Sequence, residues 1–187
     1  DWVYVNNFDE PREPRALELP SGAAGAFITD INGLIDNLLA TFPAVFEHPS
    51  YQQKKSAIDR AFNQRYDRAL DVIERLALEK DVALYRDSTN IAFTPMSEGK
   101  AVDEAEFAQL PEVDRERFHE DIAWLEERLN EELASLAQWK RESSNQLRQL
   151  NEETITLALQ PLLAPLSEKY AENAGVCGYL QAMQVYL

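Results

Sequence analysis

The sequence predicts a mainly α-helical protein built around a long antiparallel coiled-coil helix pair, with a small β-hairpin at its tip and a short α/β-type piece at its N-terminus. Three observations predict this fold class. Apolar residues recur at spacings of three and four along two long stretches, a short alternating run lies between them, and prolines and glycines interrupt the first 25 residues. Because a long helix is not stable in water by propensity alone, the two periodic stretches are expected to cover each other.

Residues 1–25 differ in composition from the rest of the chain. Short apolar runs around Val3/Val5 and Leu17/Leu19 are separated by a proline-rich stretch that excludes a helix. The pattern predicts a short strand, an irregular loop, a second short strand and a turn. A strand pair is marginal alone, and the chain opens abruptly on a β-type run, so we expect a segment of a larger protein.

Two helices are predicted next, over residues 27–42 and 51–80. Pro43 and Pro49 are expected to break or bend the chain after the first helix, and Ser50 with Gln53 forms a capping-box pattern for the second. The first apolar stripe consists of Ile28, Ile31, Leu34, Ile35, Leu38, Leu39 and Phe42. The second has coiled-coil spacing and consists of Ile58, Phe62, Tyr66, Ala69, Ile73 and Leu76.

The tip, residues 82–102, separates the two long periodic stretches. Apolar runs on both sides of the polar stretch Asp87-Ser88-Thr89-Asn90 predict a β-hairpin over residues 82–96. A short helix over residues 103–110 follows, because Asp103 and Glu106 have capping-box spacing.

The longest periodic stretch predicts one helix over residues 112–160. Its apolar residues keep steps of three and four, with one stutter between Leu129 and Leu136. The expected seam is Phe118, Ile122, Leu125, Leu129, Leu133, Leu136, Trp139, Leu147, Leu150 and Leu157. Two prolines at 161 and 165 then kink or end it, and a last helix is predicted over residues 175–187.

Charge and cysteine content limit the partners and the compartment. The formal net charge is -15, which argues against nucleic acid as a partner, because phosphate binding requires clustered cations. Cys177 is the single cysteine, so we expect a reducing, cytoplasmic setting. No apolar run approaches the length of a membrane helix, so we expect a soluble protein with no membrane partner.

No catalytic, cofactor-binding or metal-ligating residue is predicted. Glu116 and His119 have the spacing of a di-iron ligand pair, but His48 offers no second pair, so a solvated helix face is the expectation. The carboxylate pairs Glu126/Glu127 and Glu131/Glu132 flank a leucine seam, and Lys54-Lys55 is expected to meet acids across the helix pair.

The remaining unusual side chains also favour structural roles. We expect Cys177 to be a small buried side chain rather than a nucleophile. Trp2, Trp124 and Trp139 are expected to be core or seam anchors. The chain has no glycine-rich phosphate loop and no nucleophile elbow, so no enzymatic activity is expected within it.

The N-terminal residues carry a family resemblance. The run Asp1-Trp2-Val3-Tyr4-Val5-Asn6-Asn7-Phe8, followed by Pro11, Pro14-Arg15, Leu17, Leu19-Pro20 and Gly22, resembles Lon-related ATP-dependent proteases that contain a long helical insertion. In that family a similar run lies between the phosphate loop and the second ATPase motif. Similar short motifs follow at Ala92-Phe93-Thr94-Pro95, Gly99-Lys100, Glu106-Phe107 and Leu110-Pro111.

The resemblance implies a parent AAA+ serine protease that uses ATP and Mg²⁺, forms a homo-oligomeric ring and cleaves protein substrates. The phosphate-loop lysine, the acidic motif, the arginine finger and the Ser/Lys dyad of the family have no counterpart here. Residues 1–25 are therefore expected to be a peripheral piece of the ATPase domain, and residues 26–187 a non-catalytic helical insertion. Its expected roles are substrate recognition, subunit contacts or gating, with the tip as the contact surface.

Two alternatives remain. One is a stand-alone coiled-coil adaptor or dimerisation protein, which would form a folded symmetric oligomer without flanking sequence. The other is a helical-bundle metal enzyme, which the incomplete ligand set disfavours.

Overall fold

The computed structural model describes residues 1–87 and 90–187 and is mainly helical, with two small antiparallel sheets. The chain divides into two compact units. The first consists of Asp1–Ser56 and Gln146–Leu187, and the second of Ala57–Asn145.

The elements alternate between short strands and long helices. In chain order they are β1 (Trp2–Val5), β2 (Arg15–Glu18), α1 (Ala24–Glu47), α2 (Pro49–Leu78), β3 (Val82–Arg86), β4 (Ile91–Ser97), β5 (Lys100–Ala101), α3 (Glu104–Gln109), α4 (Glu112–Leu133), α5 (Leu136–Lys169) and α6 (Ala174–Tyr186).

The first unit begins with an antiparallel hairpin of β1 and β2, in which Val3 lies opposite Leu17. Because side chains alternate between the faces of a strand, these two point into the core, and Trp2 and Tyr4 point outward. Trp2 is 65% exposed, so the prediction that it is a core anchor is wrong.

The hairpin packs on helices from both halves of the first unit. Its buried residues share one core with α1, the second half of α5 and α6. The core consists of Val3, Leu17, Leu19, Phe27, Ile31, Leu34, Leu38, Leu159, Leu163, Val176, Tyr179, Leu180 and Met183. This packing runs across residues 25 and 26, where the sequence predicts a boundary between an ATPase piece and an insertion.

Helix α1 extends beyond the predicted range of 27–42. Pro43 lies inside the helix and does not end it. A proline within a helix removes one backbone hydrogen bond and can bend the helix without ending it. The helix ends before His48, whose backbone is extended as expected for a residue that precedes a proline.

Helix α2 begins at Pro49 rather than at residue 51. Ser50 lies in its first turn and does not cap it, and the Nδ1 atom of His48 accepts a hydrogen bond from the Ser50 N–H at 3.2 Å. Proline is favoured at the first helical position because it has no N–H to satisfy there. The predicted capping box of Ser50 and Gln53 is therefore wrong.

The second unit contains most of α2, the helix α4, the start of α5 and the tip. Arg65 on α2 donates to Glu142 on α5 at 2.7 Å, and Lys80, in the turn just after α2, pairs with Asp121 on α4. As the residue number rises along α2 it falls along the partners, so the packing in this unit is antiparallel. Hydrogen bonds from Arg65 and Gln138 lower the pKa of Glu142.

The stretch predicted as one helix over residues 112–160 is two helices. The break lies at Ala134 and Ser135, which is the position of the stutter in the apolar repeat. Helix α5 then continues through Pro161 and Pro165 to Lys169. Leu157 is 71% exposed, so its assignment to the seam is wrong.

At the tip, β3, β4 and β5 form an antiparallel sheet in that order. The ladder between β4 and β5 is short because Pro95 has no N–H to donate, although its carbonyl accepts from the Val102 N–H at 2.8 Å. Asp87 and Asn90 bond to each other at the predicted turn, and Ser88 and Thr89 lie outside the described residues.

The two short helices have side-chain caps. Asp103 and Glu106 form the predicted capping box at the start of α3, which is confirmed. Asn173 caps α6 through the Val176 N–H and also donates to the carbonyl of Glu18 at 2.9 Å. Among the described residues, no helix combines the length and apolar content needed to span a bilayer.

We predict that Leu125→Ala lowers the free energy of unfolding by about 3 kcal/mol, because Leu125 is fully buried and its loss leaves a cavity in the second unit. Urea denaturation measures this change. Val113→Ala on the same helix is the control, since Val113 is 76% exposed and its truncation should have little effect. Equal losses in the two variants would contradict the burial pattern of α4.

Candidate protein-contact surfaces

The two histidines that the sequence offered as possible metal ligands have other neighbours in the structure. His119 is exposed and its ring lies edge-on to Phe107 at 5.4 Å, beside Glu116 on α4. His48 belongs to the first unit and contacts the start of α2. Across residues 1–87 and 90–187, no group of three or more His, Cys, Asp or Glu side chains is arranged to hold a metal ion.

The carboxylate pairs on α4 lie on its exposed face. Glu126, Glu127 and Glu132 are exposed, and Glu131 pairs with Arg128 on the preceding turn. These acids therefore form a solvated helix face beside the apolar seam.

Lys54-Lys55, the pair predicted to meet acids across the helix pair, lies in the first unit. Lys54 lines a cavity of about 270 Å³ in the first unit, beside His48, Tyr51 and Leu157. Ion pairs within the second unit instead use Arg65 on α2 and Lys80 in the turn after it. The ion pairs that favour the antiparallel register of this unit are therefore made by residues that the sequence analysis did not identify.

Cys177 and the two remaining tryptophans have structural neighbours. The Cys177 thiol donates to the carbonyl of Tyr170 at 3.3 Å, at the junction of α5 and α6. Trp124 packs against the core of the second unit, and the cations of Lys80 and Arg128 lie 4.9 and 5.4 Å from its ring centre. Trp139 is half-buried on α5.

One further pair has the spacing of a Ser/Lys dyad. Ser97 and Lys100 face each other across the turn between β4 and β5, in which Glu98 and Gly99 have positive φ angles. Both side chains are exposed. A nucleophile pair requires a desolvated base, so this turn does not have the surroundings of a catalytic dyad.

The first unit has an apolar groove between α1 and α6, which we call the α1–α6 groove. Its volume is about 490 Å³. It is lined by Asn6, Phe8, Ile35, Leu38, Leu39, Phe42, Pro43, Tyr179, Met183 and Leu187. The floor is buried, with Leu38 7% and Met183 5% exposed, whereas Leu39 on the wall is 71% exposed. The groove therefore presents a contiguous apolar surface to solvent.

The groove exists because α1 has a wider apolar stripe than its core covers. Phe27, Ile31, Leu34 and Leu38 face the core, and one side of the same stripe stays uncovered. The seven apolar residues of the predicted helix 27–42 form a stripe wider than one buried face. The width of this stripe was therefore a sequence signal that part of it would stay exposed.

Aromatic rings close one end of the groove. Phe8 stacks on Tyr179 with ring centres 5.8 Å apart and contacts Tyr186 at 4.9 Å. Burial at the floor of the groove raises the pKa of Tyr179. The loop after β1 is thereby held against α6.

The tip offers a second exposed surface in the second unit. One face of its sheet covers the helices, with Val82 fully buried beside Ala77 and Phe118. On the opposite face, Tyr85 is 52% exposed and lies across from Ala92. The tip thus closes the core and also presents an aromatic side chain.

A polar cluster joins α1 to the end of α5. Asp30 accepts hydrogen bonds from Lys169 and from the Tyr170 hydroxyl at 2.6 Å. These bonds lower the pKa of Asp30, and the bond to Asp30 raises the pKa of Lys169. Burial raises the pKa of Tyr170. The cluster holds the two helices together beside a cavity of about 650 Å³.

Comparison with known proteins gives one partial match. Residues 1–34 match the family model described as the Lon-like LonC helical domain. This supports a relation to the Lon family, and the matched residues include the β1–β2 hairpin and the first turns of α1. No curated protein matches the chain.

We predict that Asp30→Asn destabilises the first unit at neutral pH. Because the folded pKa of Asp30 is lowered, its contribution is present above the ordinary aspartate pKa and is lost as the pH falls through the lowered value. Urea midpoints should therefore differ between the variant and the parent chain at pH 7 and converge in acid.

The control for this prediction is Asp36→Asn, on the same helix and at an exposed position. Its midpoint should follow that of the parent chain at both pH values. A difference for Asp30→Asn that persists unchanged in acid would contradict the ion-pair explanation.

Proposed function

We propose that this chain is a non-catalytic helical segment of a Lon-related, ATP-dependent serine protease, and that it contacts proteins. The contacts serve substrate recognition, or the subunits and gate of the parent ring. ATP, Mg²⁺ and the catalytic serine would belong to other parts of the parent, since these residues contain no phosphate loop and no nucleophile elbow. The placement between the phosphate loop and the second ATPase motif is part of this proposal.

The observation that carries the proposal is the match of residues 1–34 to the Lon-like LonC helical domain. The matched stretch contributes Asn6 and Phe8 to the lining of the α1–α6 groove. An apolar concave surface of this kind is typical of sites that bind other polypeptides. The family relation and the exposed surface therefore support the same kind of role.

The tip is the second surface that favours protein contacts. The Arg86 guanidinium pairs with Asp67 on α2 at 3.1 Å, and Val82 anchors the sheet in the core. This anchoring leaves the outer face with Tyr85 available, and a tyrosine supplies a large contact area at a small entropy cost. A fixed aromatic side chain suits weak contacts with unfolded chains.

A stand-alone coiled-coil adaptor is the alternative. The antiparallel ion pairs Arg65–Glu142 and Lys80–Asp121 are features that such a protein would share. It would be expected to use exposed seam positions to dimerise. In the second unit the helix pair buries Ile73 and Leu125 completely within one chain, which favours an intramolecular role for this seam.

We predict that the 187-residue chain binds a fluorescein-labelled protein kept unfolded by reduction and carboxamidomethylation, and that Tyr85→Ser weakens the binding roughly fivefold, because one aromatic contact is lost. Fluorescence anisotropy measures the affinity. Tyr4→Ser is the matched control, since Tyr4 is also an exposed tyrosine on the outer face of a strand.

An equal loss in the Tyr85→Ser and Tyr4→Ser variants would show that the tip is not the contact surface. No binding of the unfolded protein by the parent chain would argue against substrate recognition and leave subunit contacts as the role.

A further inference from the structure

The α1–α6 groove has ridges that match a helix. Ile35, Leu39 and Pro43 follow one another at four-residue spacing on α1, and Tyr179, Met183 and Leu187 do so at the α6 side. Each row is roughly 12 Å long at 1.5 Å per residue. Rows of this spacing accept the side-chain ridges of another helix, and two turns of an amphipathic helix would fill the groove.

The borders of the groove are acidic. Asp36 follows Ile35 on α1, Glu47 lies one turn beyond Pro43, and Asp9 follows Phe8. Helix α1 contains no lysine or arginine, and α6 contains no charged residue. In the described part of the chain, neither Asp36 nor Glu47 takes part in an ion pair. These carboxylates are therefore available to a cationic partner.

The backbone adds an acceptor on the same wall. Pro43 has no N–H, so the carbonyl of Leu39, four residues earlier, lacks its usual helical donor. Both residues line the groove. A lysine or arginine beside the apolar face of a partner could donate to this carbonyl, since an acceptor without a donor is costly once it is removed from water.

We propose that the α1–α6 groove binds an amphipathic helical segment of another polypeptide, with apolar side chains on one face and lysine or arginine on its flanks. This inference rests on the proposed role in protein contacts and specifies the chemistry of one partner. A second copy of this chain fits poorly, because a two-fold interface would place the acidic borders of both copies against each other.

The test uses the 187-residue chain and a labelled peptide of leucine and lysine arranged with helical amphipathic spacing. A scrambled peptide of the same composition is the first comparison. We expect fluorescence anisotropy to show one-to-one binding that is at least about tenfold weaker for the scrambled peptide.

Two pairs of variants locate the site. Ile35→Gln combined with Leu39→Gln should weaken binding of the amphipathic peptide about tenfold, because both side chains form the wall. Ile28→Gln is the control, since Ile28 is 50% exposed on the same helix and lies outside the groove.

Asp36→Asn combined with Glu47→Gln should weaken binding about threefold and reduce its salt dependence, whereas Glu168→Gln combined with Glu172→Gln should not.

Three results would overturn the inference. Equal binding of the scrambled peptide would show that only charge is recognised. Equal effects of the groove variant and Ile28→Gln, with unchanged thermal melts, would show that the peptide binds elsewhere. A dimer of the parent chain in sedimentation velocity that the groove variant abolishes would identify a second copy as the occupant.

The proposed function is tested independently of this inference. Failure of the groove variants leaves the dependence of unfolded-protein binding on Tyr85 unaffected. Failure of the tip variant likewise leaves the peptide result intact, so the two outcomes are distinguishable.

Discussion

The first unit depends on a single core that the N-terminal hairpin and the C-terminal helices build together. Leu17 is 2% exposed and Val176 is fully buried in this core. Asn173 joins the two parts directly, because it caps α6 and also donates to the β2 carbonyl of Glu18. A two-stranded hairpin and a short helix are each marginal alone, so each is stable only because the other covers it. The positions of α1 and α6, and hence of the groove between them, follow from this packing.

The same core explains why an apolar surface is left open. The hairpin, α5 and α6 cover one side of the α1 stripe, and the side with Ile35 and Leu39 has no covering element among the described residues. Pro43 leaves the Leu39 carbonyl without its usual helical donor, and the acids on this helix add negative charge to the border. Apolar area with fixed polar groups at its edges has the composition of a recognition surface, with a hydrophobic centre and a polar rim.

The sequence predicted which segments form helices and strands, but it did not predict how these elements pack on one another. Apolar periodicity predicted the helices, and the alternation around Asp87 and Asn90 predicted the tip hairpin. The width of the α1 stripe signalled that part of it stays exposed, but periodicity could not tell which side, because the covering elements lie far away in the chain. The stutter after Leu129 marked a helix break, but a stutter alone is also compatible with a continuous helix. Pro43 was expected to break or bend the chain, and local rules could not foresee that α1 continues through it to Glu47.

The central claim is that this chain is a segment of a Lon-related protease, and the coding sequence on both sides of it is the most direct test. The account predicts an open reading frame that continues upstream into a Gly-x-x-x-x-Gly-Lys-Ser/Thr loop and downstream into an acidic ATPase motif and a Ser/Lys protease domain. A start codon directly before Asp1 and a stop codon directly after Leu187 would contradict it and leave a stand-alone helical interaction protein.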